Sequence, residues 1–197
     1  DLRWTVRGLA PLPAGATVKL EDDFSKDTDK WEPTNGDNVD MEVIDEAYSI
    51  HLKRENWLAW GTYEKFKTNG GFLAEVSCKL SSDDGLCGLG FESDKDNFLW
   101  LQVTPSTQEY NLGWLKAGKW QNDLISTTVS TYISPFGSNN IALGRKGKAI
   151  NVYINGTLVD TVQSSAIPSG FVIFGGGTNK TDDVTVTLDD LTIWQVK

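Results

Sequence analysis

Along most of this chain apolar and polar residues alternate with a period of two, the pattern of strands with one face in a core. The clearest case is the stretch IALGRKGKAINVYINGTLVDTV, residues 141–162. Ile150, Val152 and Ile154 alternate with Asn151 and Tyr153, and the alternation resumes with Thr157 and Val159. Between the runs stands Asn155-Gly156, a pair that tolerates positive φ at both turn positions and so predicts a type I′ hairpin. Its two-residue loop sets Ile154 opposite Thr157, Tyr153 opposite Leu158 and Asn151 opposite Asp160.

The same reading predicts short strands at 20–24, 41–44, 47–53, 72–80, 86–91, 98–103, 110–115 and 171–174, and a final pair of alternating segments in VTVTLDDLTIWQV. Tyr48, Ile50 and Leu52 face one way, and Ser49, His51 and Lys53 the other. In FLWLQV the aliphatic set Leu99, Leu101 and Val103 is the core set, leaving Phe98 and Trp100 on the opposite face. Tyr110, Leu112 and Trp114 are aligned. Residues 56–66 read as a strand or bent loop, 121–140 mostly as loop with room for a short helical turn, and the glycine run 175–177 as a flexible or bulged connection. About a dozen such strands, with turn signals between them and no convincing helix, make an all-β antiparallel sandwich or barrel. Residues 1–18, with Gly8, Pro11, Pro13 and Gly15, read as an arm or linker that Trp4 docks onto a single domain at 19–197. The chain opens at Asp1 without a start Met or signal peptide, the form expected of a mature terminus.

Composition narrows the partners. A net charge of −9 repels phosphates and excludes nucleic acid and anionic membranes as natural partners. No apolar run approaches the roughly 18 residues of a membrane helix, so no membrane insertion is expected. The two cysteines, Cys78 and Cys87, point into the core from strands flanking one turn. They read either as buried free thiols or as a disulfide across a hairpin, the latter implying an oxidising compartment.

The order of segments DDF…W, EAYSI, DDGLCGLGF, DNFLWLQV, YNLGWLKAGKW, NNIALGRKGKAINVYINGTLV and VTVTLDDLTI resembles the concanavalin A-like, laminin-G-like jelly-roll domains of bacterial extracellular proteins over roughly residues 20–197. The resemblance implies two antiparallel sheets, one concave and one convex. It also implies a secreted or cell-surface location beside other extracellular domains, and in many members glycan binding on the concave face or its rim. Related sugar-binding modules hold a structural calcium where first and last strands meet, which by analogy points to Asp22 and Asp189. No other cofactor is required.

Candidate chemistry divides accordingly. Glucanases of this fold carry E-x-D-x-x-E on one strand, with two carboxylates on one face. The nearest match here, Glu42, Asp45 and Glu46 in MEVIDEAY, puts Asp45 on the wrong face and reads as turn acids. His51 is the single histidine and no G-x-S-x-G elbow exists, so a Ser-His-Asp triad is excluded. FGGGTNKT lacks both the glycine before Lys180 and a following helix that phosphate binding needs. The eight tryptophans are the strongest functional signal, because sugar rings stack their C–H faces on Trp or Tyr while neighbouring polar groups take the hydroxyls. Trp57, Trp60, Trp100, Trp114 and Tyr153, with Arg54, are the candidate ligand-binding residues, and Trp57 with Trp60 the leading pair. Trp31, Trp120 and Trp194 read as structural. The expected function is therefore a non-catalytic module binding a polysaccharide or oligosaccharide. The alternatives are a laminin-G-like interaction or spacer domain and, third, a glycoside hydrolase.

Overall fold

The structure is a computed structural model that describes residues 9–26, 30–164 and 170–197. Trp4 lies outside them. Two antiparallel sheets face each other. In the first, the order is β14 (Thr157–Gln163), β13 (Ala149–Ile154), β12 (Asn139–Lys146), β6 (Gly71–Leu80), β16 (Val184–Val196), β4 (Ala47–Leu52), β3 (Val39–Ile44) and β2 (Thr34–Asn35), with β1 (Thr17–Asp22) also on β16. In the second it is β10 (Lys119–Trp120), β9 (Glu109–Lys116), β8 (Asn97–Thr104), β7 (Gly85–Asp94), β15 (Phe171–Thr178) and β5 (Leu58–Lys67), with β11 (Ile125–Val129) on β9. Helical structure among the described residues is confined to Lys30 and the 3-10 turn Pro105–Thr107, and none falls within 121–140.

The period-two faces meet between the sheets. Ile50, Leu52, Ala74, Val76, Leu143, Val152, Val186 and Leu188 from the first sheet pack on Leu89, Phe91, Leu99, Leu101, Val103, Leu112, Val172 and Phe174 from the second, all buried. The aliphatic set of β8 is thus the core set, as its pattern predicts. Asn155 and Gly156 both have positive φ, and Ile154 faces Thr157 and Tyr153 faces Leu158. Beyond Tyr153 the register shifts, so Asn151 faces Thr161 and Val152 faces Asp160. A bulge adds a residue to one strand, and every pairing counted from the turn then slips by one.

Three further expectations are corrected. β6 and β7 do not form a hairpin: the chain leaves the first sheet after Leu80 and enters the second at Gly85. Cys78 and Cys87 therefore meet across the core, their sulfurs bonded at 1.99 Å. The glycine run 175–177 is no loose connection but the interior of β15, paired with β7 on one side and β5 on the other. The final segments form one strand, β16, bulged between Asp189 and Thr192 with Asp190 at positive φ.

β1 begins at Thr17, inside the stretch read as the arm. Ahead of it the chain crosses the outer face of the first sheet. Ala10 packs there with Leu73, Ala142 and Val196, and its N–H donates to Glu75 Oε1 at 3.0 Å. Trp31, read as structural, is buried in the core, ringed by Phe24, Tyr48, Tyr63 and Phe174.

Candidate functional site

The outward face of the second sheet carries a second aromatic cluster. Alternation puts Phe98 and Trp100 of β8, Ile173 of β15, Leu58 and Trp60 of β5 and Leu115 of β9 on this side. Trp100 lies flat over the strand beside it. A Cβ on Gly88, of β7, would stand 1.7 Å from Trp100 Cζ2, so only glycine leaves room for the indole. Trp60 leans over it with ring centres 5.9 Å apart, and packs on Phe98 at 5.1 Å. Phe98 meets Trp120 edge-on at 5.5 Å. Trp120 closes the row at the sheet edge with 52% of its surface exposed.

Polar groups flank the row at both ends. Glu92 of β7 accepts from Trp60 Nε1 at 3.3 Å and from Thr62 Oγ1 at 2.7 Å. Asn111 Nδ2 donates to Asp123 Oδ2 at 3.3 Å, and Asp123 and the Trp120 ring lie together above Gly113 of β9. The result is an aromatic strip with an acid and an amide at one end and an acid and a hydroxyl at the other. Such a surface offers C–H stacking beside hydrogen bonds.

The residues expected to bind ligand do not all meet here. Trp60 and Trp100 do, but Trp100 is 2% exposed and serves as the floor, not as an open stacking ring. Its Nε1 is buried without a hydrogen-bond partner. Trp57 and Trp60 are three residues apart, an odd spacing that sends them to opposite faces of one extended chain. Trp57 packs at the core margin, with the Arg54 guanidinium 4.9 Å from its ring centre. Trp114 takes the core side of β9 beneath Lys116. Tyr153 lies on the outer face of the first sheet with Leu73 and Ala142 and accepts from Asn151 Nδ2. These residues are distributed over separate faces.

Trp120, read as structural, is instead the exposed member of the row. The signal was available. Ala117 and Gly118, both at positive φ, make a two-residue turn that pairs Leu115 with Trp120. Counting from that turn puts Trp120 on the face of Leu115, opposite Trp114.

The two acids that the analogy pairs for calcium have different surroundings. Asp22 is buried and committed to the fold, accepting from Trp31 Nε1 at 3.1 Å and from the Phe24 N–H at 2.9 Å. Asp189 lies instead in a hollow of ≈ 430 Å³ with Asp23, Asp45, Glu46 and Asp190. Its carboxyl is raised from the ordinary value chiefly by burial, with the charges of Asp190, Asp23 and Glu46 adding. Among the described residues no group of three or more His, Cys, Asp or Glu is placed to hold a metal ion.

No protein-family model matches the chain, and no curated protein matches it. Solved structures do. A non-specific endo-β-1,3(4)-glucanase of glycoside hydrolase family 16, SCLam, superposes with a TM-score of 0.68 over 98% of this chain and 97% of its own, at 10% identity. A Bacillus subtilis protein described as having a galectin-like fold gives 0.67 over 90% and 96%, at 12% identity. The carbohydrate-binding module CBM66 of Bacillus subtilis gives 0.51 over 91% and 94%, at 16% identity. The fold is the concanavalin A-like jelly roll.

The remaining candidate acids and the histidine lie away from the aromatic strip. Asp45 and Glu46 form the β3–β4 turn, both at positive φ. His51 sits on the outward face of the first sheet, its Nε2 2.8 Å from Asp183 Oδ1. Asp84 Oδ2 accepts from the N–H groups of Lys180 at 2.6 Å and Thr181 at 2.7 Å, which ties down the end of FGGGTNKT. Burial pushes the Asp84 carboxyl up, but those amides, the Thr181 hydroxyl and the Asn179 backbone together hold it below the ordinary value. No helix among the described residues is long and apolar enough to cross a membrane.

Proposed function

We propose that this domain binds carbohydrate without catalysis, seating a polysaccharide or oligosaccharide on the Trp60–Phe98–Trp120 strip of the second sheet. The observation that carries the reading is Trp120, a half-exposed indole held edge-on by Phe98 with Asp123 and Asn111 beside it. Its neighbours are already packed, so stacking would cost little ordering. The solved structures of the same fold support the class: one is described as a carbohydrate-binding module and one as an endo-glucanase.

Binding is preferred to hydrolysis here because the E-x-D-x-x-E strand of glucanases of this fold has no counterpart in this chain. Glu92 lies on β7 and turns away from β9, toward Thr62 of β5, whereas Asp123 rests over Gly113 of β9. Their supporting strands are separated by β8. Between them the strands present Trp100, Phe98, Gly88 and Gly90. A secreted or cell-surface setting accords with the Cys78–Cys87 disulfide, which persists in oxidising compartments.

The test is affinity electrophoresis against soluble β-glucans, xylans, mannans and pectins, with Trp120→Ala beside the parent. Retardation by one polysaccharide should fall about tenfold or more in the folded variant. If no polysaccharide retards the parent, the proposal fails and an interaction or spacer role takes its place.

A further inference from the structure

A second exposed aromatic surface lies far from this strip. From the last residue of β11 to the start of β12, the chain exposes Val129 at 66%, Tyr132 at 54% and Phe136 at 82%. An exposed Phe in a slack loop has an easy alternative, which is to fold back against the protein. This loop has no such freedom. Asn139, itself fully buried, accepts from the Ser134 N–H at 2.8 Å and donates to the Ser134 carbonyl at 2.9 Å. Asn155 donates to the Tyr132 carbonyl at 2.8 Å and to Asn139 Oδ1 at 2.9 Å. Gln108 donates to the Ile133 carbonyl at 2.8 Å, and the Ile133 side chain is buried in the core. Ser134 Oγ donates to the Phe136 carbonyl. Side chains from three elements thus fix the backbone on which Tyr132 and Phe136 stand.

Phe136 forms one wall of a groove of ≈ 150 Å³. Leu80 and Pro105 add apolar surface, while Ser82, Asp83 and Ser106 add hydroxyls and a carboxylate. We infer that this groove is a separate binding site for a single neutral pyranose, one ring face against Phe136 and its hydroxyls toward Asp83, Ser82 and Ser106. The chemistry is amphipathic in the way a sugar is: one apolar wall, with short acceptors and donors beside it. Its volume of ≈ 150 Å³ is small, which argues for one sugar ring and against a longer chain segment. The carboxylate and a net charge of −9 exclude uronates and sulfated sugars. The groove opens at the Thr104 end of β8, whereas the strip begins at Phe98, roughly 20 Å away along the strand. It therefore stands or falls independently of the strip.

The test is two-dimensional amide NMR of the whole domain titrated with glucose, galactose, mannose, xylose and N-acetylglucosamine. One ring in a groove of this kind binds with a Kd on the order of millimolar. Saturable shifts confined to residues 81–83, 105–107 and 134–138, lost in both Phe136→Ala and Asp83→Ala and kept in Trp120→Ala, are expected. Phe136 and Asp83 are both exposed, so their removal leaves the fold in place. Absence of saturable shifts there with every sugar overturns the inference. Shifts that survive Phe136→Ala but vanish in Trp120→Ala overturn it too, by assigning the sugar to the strip.

Discussion

Glu75 is a carboxyl placed where a charge is costly. It lies on the outer face of β6, opposite Ala142 of β12 and Thr192 of β16, and beneath the segment at Ala10. It is 2% exposed; Oε1 takes the Ala10 N–H and Oε2 is buried without a partner. Burial pushes its pKa from 4.5 up to about 7, and the single amide donor offsets only part of that. At about 1.36 kcal/mol per pH unit, the difference between folded and unfolded chain comes to about 3 kcal/mol. The sign follows from which state holds the proton. The fold favours the neutral acid, so this stability is fully present below pH 4.5 and is lost as pH rises through about 7. Glu75→Gln keeps the shape and the acceptor for Ala10 but removes the titration. Guanidinium unfolding from pH 4 to pH 8 should find variant and parent nearly equal at the acid end. The variant should gain progressively, to about 3 kcal/mol at the alkaline end. A gap between the two that stays constant across that range would refute the reasoning, because it would mean Glu75 titrates alike in both states.

Replacing both cysteines, Cys78→Ala with Cys87→Ala, opens a short loop that ties one sheet to the other, and should cost about 2–3 kcal/mol in the same unfolding assay. Dithiothreitol should reproduce most of that loss in the parent and none in the variant. Gly88→Ala places a methyl inside the Trp100 ring, so the indole must leave its seat. The expected cost is about 1–3 kcal/mol or more, with increased acrylamide quenching of tryptophan fluorescence. Trp120→Ala should leave the unfolding midpoint almost unchanged while weakening polysaccharide retardation, the opposite balance to Gly88→Ala.

Much of this architecture was legible residue by residue. Alternation assigned the core face of β8, separated the two faces of β4 and aligned one face of β9, Asn155-Gly156 located its hairpin, and the order of segments pointed to the jelly roll. These are short-range properties: a period of two is written in neighbouring side chains, and a turn in two residues. Errors arose where the answer depended on a distant strand. The segment between Cys78 and Cys87 looks like any hairpin turn, yet it carries the chain to the other sheet, because β6 pairs with β12 and β16 and not with β7. Gly175–Gly177 carry no side chains and hence no periodicity, so only pairing with β5 and β7 shows them to be a central strand. The aromatic strip belongs to the same category. The abundance of tryptophan is compositional, but which rings share a surface is set by strand parity and sheet order together. Those two decided that Trp57 and Trp114 pack at the core margin, that Trp100 becomes a floor over Gly88, and that Trp120 is the ring left open to solvent. A side chain's face is a local property of an extended chain, whereas its neighbours on that face are supplied by strands far away in sequence.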